Sequence, residues 1–251
     1  MYRFYGWEQT GIRANGLAPA DFYDLLSGIW CAETCAPRMR GEWTAENPTL
    51  GQCSITAFLM QDIFGGQVLG VPLGDGNFHC FNAVDGAVFD LTSEQFGDTA
   101  LDYAHAVAQF REDHFAKQEK YQRYRLLRAR LMREYAVRLR SLGRNCCQSV
   151  LCACGGRELT EDQWMRLGAC FGGGMGCMEA TCGALCAAEM LMGMKCGAGP
   201  AARQAARALH RAFRERCGAT ICRDLKGLDT GKPLCDCAEC VRNAVDILEN
   251  A

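Results

Sequence analysis

Cys53 opens an apolar run at helical spacing, Ile55, Phe58, Leu59, Ile63 and Phe64, which stops at Gly65-Gly66. A cysteine in the first turn of a helix lies beside unpaired backbone N–H groups, and these favour thiolate, the nucleophilic form of sulfur. Such a nucleophile needs a base, and the base needs an orienting partner. His79 stands on a predicted strand over 78–84, and Asp90 on a returning strand over 87–91. Asp85-Gly86 between them reads as a tight hairpin turn that brings the two side chains together. Gln52, polar and next to the nucleophile, is a candidate oxyanion donor, and a capping or core hydrogen bond suits it equally. The bland alternative makes Cys53 a small buried hydrophobe and His79–Asp90 a structural pair.

The second group of chemistry-bearing residues is larger. The chain has 18 cysteines; only Cys31, Cys35, Cys53 and Cys80 precede residue 140, and the rest fall between Cys146 and Cys240. Cys146 follows the capping residue Asn145, Cys222 lies just after Thr220, and Cys240 comes in the first turns after Asp236. Three predicted helix starts thus carry ionisable thiols. Cys182 joins them from a helix predicted over 178–194, flanked by the small Gly183 and Ala187 that permit close approach. The run Cys235-Asp236-Cys237-Ala238-Glu239-Cys240 is a local metal-ligand pattern without a second paired CxxC, a weak zinc signal. Other single cysteines are read as packing residues.

Composition bounds the classes. The chain has 251 residues, 49% hydrophobic and 22% charged, with a net charge of −2, a globular balance without general affinity for nucleic acid or anionic membrane. No apolar stretch is long enough to span a bilayer, and the N-terminus lacks a signal-peptide core, so a cytoplasmic protein with reduced thiols is expected.

The elements that must position these residues fall into two predicted domains, 1–135 and 141–251. In the first, Pro19 opens a helix running towards Gly28, a strand covers 67–73, and helix covers 101–142 with at most one break. The basic run Lys120 to Leu131 reads as a solvated face whose Tyr124, Leu127 and Leu131 pack. The second domain is helical throughout: Thr160 with Gln163 forms a capping box, and a helix from Pro200 to Cys217 ends at Gly218. Gly172–Gly176 has neither a preceding strand nor a following Lys-Ser/Thr, so it is a helix-entry turn and no phosphate cradle. The methionines fill core gaps, and His105, His114 and His210 receive no chemistry.

Two resemblances extend this reading. Trp30–Thr34, Asn47-Pro48 with Gly51-Gln52-Cys53, Asp62 with Gly65-Gly66, His79 with Asn82, Asp90-Leu91-Thr92 with Gln95-Phe96, and Arg123-Tyr124 with Leu127 resemble the YunG-like family over roughly 20–132. Cysteine, histidine and aspartate in this order are also similar to transglutaminase-like cysteine enzymes. Asn145-Cys146 with Gln148-Ser149-Val150, Phe171–Gly176, Glu179 with Cys182-Gly183-Ala184, Ile221–Leu225, and Cys240 with Val241 and Ala244 resemble the redox-associated CGAxxG family over about 143–250. Its four recurring cysteines map onto Cys146, Cys182, Cys222 and Cys240, and its second glycine is replaced by Ala187. That resemblance implies redox work and iron–sulfur ligation; without CxxCH no covalent haem is implied.

The expectation is therefore an α+β, papain/transglutaminase-like N-terminal domain followed by an all-α cysteine-rich helical domain. The leading function is a cytoplasmic thiol or redox protein whose four downstream cysteines hold an iron–sulfur cluster or zinc, or act as dithiols towards a thiol or electron-transfer partner. The alternatives are a cysteine hydrolase or acyltransferase using Cys53, His79 and Asp90, and a non-enzymatic metal-binding or scaffold protein.

Overall fold

Apolar periodicity and turn chemistry build the N-terminal half around one buried helix. The computed structural model describes residues 4–9, 11–74 and 76–251; the first three residues of the stretch read for a leader lie outside them. The chain divides into two units, Met1–Leu131 and Met132–Ala251.

In the first unit α1 (Pro19–Ser27) and α2 (Cys53–Phe64) precede β1 (Gln67–Pro72), β2 (Phe78–Val84) and β3 (Ala87–Phe89). A short β4 (Val107–Ala108) and α3 (Arg111–Phe115) follow, then α4 (Gln118–Ser141), which runs on into the second unit. The sheet has the order β3-β2-β1-β4, with antiparallel neighbours. Asp85 and Gly86 take φ of 49° and 81°, the positive values a two-residue hairpin turn requires. Ile55, Phe58 and Leu59 of α2 are fully buried, as are Phe22, Leu26 and Phe89. Asn82 of β2 ties sheet to helix by donating to the Ala57 carbonyl at 2.8 Å.

The expected helix over 101–142 is confined to its second part. Asp102 caps a single 3-10 turn, Tyr103–His105, and Val107–Ala108 pair with the open edge of β1. Unpaired strand groups there take partners that a helix would have withheld. Within the basic run Tyr124, Leu127 and Leu131 are buried, as their spacing predicts. Arg123 is also buried, donating to Thr34 O and pairing with Glu119.

The second unit is helical: α5 (Cys146–Cys154), α6 (Glu161–Gly168), the single irregular turn α7 (Gly172–Met175), α8 (Gly183–Cys196), α9 (Pro200–Cys217), α10 (Cys222–Lys226) and α11 (Cys237–Glu249). Asn145 with Gln148, and Thr160 with Gln163, form the reciprocal caps of α5 and α6. The helix expected from about Met178 starts later, because Gly176 and Met178 have φ of 81° and 63°. The intervening chain bends and then pairs with the segment leading into α10: Cys222 N donates to Ala180 O at 3.0 Å, Arg223 N to Met178 O at 2.8 Å, and Cys182 N to Thr220 O at 2.8 Å. Cys182 therefore becomes the N-cap of α8, and Ile221, not Thr220, caps α10. Ala184, Ala187 and Ala188 of α8 are fully buried, so alanine at the departing glycine position still admits tight packing.

Candidate functional site

Cys146 is the first residue of α5, Cys182 caps α8, Cys222 opens α10 and Cys240 lies one turn into α11. All four are buried, and all four line one cavity of about 70 Å³ together with Cys235, Cys237, Arg140 and Lys226. Close approach depends on glycine. A Cβ on Gly183 would lie 2.4 Å from Phe171 O and 2.8 Å from Cys146 Sγ, and one on Gly174 would lie 2.6 Å from Cys222 Cβ.

The thiols differ sharply in character. The Cys146 thiol first, then the Cys240 thiol and the N–H groups of Ala184 and Leu185, outweigh burial and hold Cys182 down to about 3. Its neighbours donate to it and move the other way: the hydrogen bond to Cys182, followed by burial, pushes Cys146 far up. The single proton of Cys240 is claimed by Cys182 and by Cys217. Elsewhere in this unit burial pushes Cys147 up to about 12 and Cys152 and Cys186 up to about 11, leaving them inert thiols. Cysteine is the soft, thiophilic ligand type among the lining residues, but Cys146, Cys182 and Cys222 do not belong to the sulfur group that gathers closely enough for one ion. Sequence reasoning placed Cys217 among packing residues and took the 235–240 run as weak. Yet Cys217, Cys235 and Cys240 bring their sulfurs within 4.8 Å of one another. No spacing rule joins the end of α9 to a loop beyond residue 230.

In the first unit Cys53 is the first residue of α2, half-buried. His79 Nε2 lies 2.6 Å from Asp90 Oδ2, with both side chains buried. Asp90 also accepts from Tyr103 OH at 2.9 Å, Thr92 N at 3.0 Å and Thr92 Oγ1 at 3.1 Å, so its position is over-determined. His79 Nδ1 makes no short hydrogen bond and is left for the Cys53 sulfur. The Cys80 thiol above all, and then the His79 ring, hold Cys53 well below the ordinary thiol range despite burial. Burial opposes a charge on His79, but Asp90 overcomes it and raises the imidazole to about 10. Both shifts favour the thiolate–imidazolium form of the pair. Gln52 is buried, and its Nε2 donates to Cys31 O at 3.1 Å, a core hydrogen bond.

Cys80, Tyr103 and Thr92 complete this arrangement and were not anticipated. His114, given no chemistry, accepts at Nδ1 from Lys120 at 2.9 Å, and burial with Lys120 lowers it to about 4. Burial likewise lowers Lys120, while the Cys80 and Cys53 sulfurs oppose that shift.

These features define a two-unit cysteine protein: an α+β unit with a Cys–His–Asp arrangement, then a helical unit gathering thiols around a cavity. The chain belongs to the YunG family: residues 18–136 match that family's model, described as "YunG protein". Over 86 residues it is 40% identical to "Uncharacterized protein YunG" of Bacillus subtilis (strain 168), covering 34% of this chain and 72% of that protein. Residues 144–251 match the family model described as "Putative redox-active protein (C_GCAxxG_C_C)". No solved structure matches the chain. Among the described residues, no helix is long and apolar enough to cross a membrane.

Proposed function

We propose that the C-terminal unit is a dithiol redox module in which the Cys182 thiolate attacks a disulfide of a partner and Cys146 resolves the product. The observation that carries this is Cys182 at the cap of α8, lining one small cavity with Cys146, whose thiol more than any other group holds the Cys182 thiol down. Attack forms a mixed disulfide between Cys182 and the partner and releases one partner thiolate. Cys146 then gives up its proton and displaces the second partner sulfur, closing a Cys146–Cys182 disulfide. The partner gains two electrons from the module, one proton from Cys146 and the second proton from solvent. A reducing, cytoplasmic setting with a thiol or electron-transfer partner suits a chain with 18 cysteines.

Cys146, Cys182, Cys222 and Cys240 are also the residues that would hold a zinc ion or iron–sulfur cluster in this cavity. A cluster would supply one-electron transfer. The test equilibrates the full-length chain, anaerobically prepared and assayed for iron and sulfide, in glutathione buffers of graded potential, then alkylates and maps the thiols. A reversible Cys146–Cys182 couple is expected. If both stay alkylatable across the whole series, the dithiol reading fails.

A second reading has its own support: the 2.6 Å His79–Asp90 contact beside a depressed Cys53. In a papain/transglutaminase-like cysteine hydrolase or acyltransferase, Cys53 bonds to an amide or thioester carbonyl and His79 protonates the leaving group. Water or an acceptor amine then releases the acyl group. Acylation of Cys53 by activated thioesters, lost in Cys53→Ala, would bear this out; equal labelling of the variant would remove it.

A further inference from the structure

We propose that Cys217, Cys235 and Cys240 form a three-thiolate site for one thiophilic d10 metal ion, zinc(II) or copper(I). The site stands apart from the Cys146–Cys182 dithiol and does not rest on it. Its three sulfurs come from the last residue of α9, the loop before α11 and the second turn of α11, yet all lie within 4.8 Å of one another. A metal–sulfur bond of about 2.3 Å spaces the sulfurs of a three-coordinate ion about 4 Å apart, so closure asks only a small movement.

The supporting backbone is already placed. Gly218, at φ of 88°, ends α9 directly after Cys217, and a Cβ there would meet Leu234 at 3.6 Å. Leu234 N and Cys235 N both donate to Leu225 O, at 2.9 and 3.3 Å, which fixes the loop carrying Cys235. Asp236 caps α11 and holds the turn that presents Cys240. Asn243 Nδ2 donates to Cys217 Sγ at 3.5 Å, the outer-shell contact that orients a thiolate ligand.

The donor set selects the ion. The group contains sulfur alone, without carboxylate or imidazole, which favours zinc and copper(I) over magnesium, calcium or manganese. Three protein ligands complete a trigonal copper(I) site, or leave zinc with one open position.

The experiment titrates the reduced full-length chain with zinc against a chromophoric chelator, and in a parallel anaerobic arm with copper(I) against a competing ligand. One ion per chain is expected in at least one arm, and the tighter arm names the ion. Bound metal should shield Cys217 and Cys235 from alkylation, read by peptide mass spectrometry on the unaltered chain. Cys217→Ala and Cys235→Ala should each weaken binding by about tenfold or more, Asn243→Ala by less, and replacing the exposed thiol in Cys170→Ala should leave it unchanged. Shielding that falls on Cys146 and Cys222 instead, unweakened binding in Cys235→Ala, or no retained ion in either arm overturns the proposal. A Cys146–Cys182 couple that fails to form leaves this result untouched.

Discussion

Replacing Asp90 by asparagine keeps the shape of the side chain and removes its charge. In the native chain that charge and its hydrogen bond lift His79 from 6.5 to about 10 against burial. At 1.36 kcal/mol per unit, the net lift left after burial is about 5 kcal/mol, to which Cys53 also contributes. Without the Asp90 charge, burial pulls the ring down and only Cys53 still raises it, which shifts His79 towards the neutral form. Cys53 then loses its imidazolium partner but keeps its largest support, the Cys80 thiol. Reversion to an ordinary thiol with a pKa of about 8.5 would cut the thiolate at pH 7 about thirtyfold, so the variant should fall short of that, by about tenfold. The assay is the pH dependence of Cys53 carbamidomethylation, read peptide by peptide. The native profile should be flat through neutrality, whereas Asp90→Asn should rise steadily with pH. A raised histidine stabilises the fold fully below about 6.5 and loses that contribution as pH climbs through about 10. The stability gap between native and variant chains should therefore close at alkaline pH. Superimposable alkylation profiles would refute the thiolate–imidazolium pair.

Three further outcomes are expected. Gly183→Ala drives a methyl against Phe171 O and Cys146 Sγ, and should cost about 1–3 kcal/mol in urea unfolding while slowing Cys146–Cys182 closure. Cys182→Ser should abolish mildly acidic labelling in the C-terminal unit, since Cys147, Cys152 and Cys186 are held protonated; its stability should change by under about 1 kcal/mol because serine caps helices well. Tyr103→Phe removes one of the donors to Asp90, and should lower stability by about 1 kcal/mol and shift the Cys53 profile less than Asp90→Asn does.

Local chemistry was the legible part. Asn145, Thr160 and Asp236 cap the helices they were read to cap, and Asp85-Gly86 turns the hairpin. Cys53 starts its helix, and His79 meets Asp90. What pattern reading missed came from long-range pairing. The start of α8 depends on backbone bonds to residues some forty positions away, and no periodicity around Met178 reports them. β4 exists because β1 offers a free edge, a demand invisible within residues 101–110. Cys80 lies next to His79 on a strand, where alternation sends neighbours to opposite faces, so no sequence pattern points to it as a partner for Cys53. Cys217 and Cys235 meet only because three separate segments converge.

The main-chain ladder joining 178–182 to 220–223 has a consequence for editing the gene. Cys182 and Cys222 owe their separation to peptide groups, so exchanging either sulfur for oxygen or selenium leaves the spacing intact. Adding or deleting one residue between Gly176 and Thr181 would slip the ladder by a step and turn Cys182 to its other side. This part of the molecule accepts new atoms readily and new lengths hardly at all.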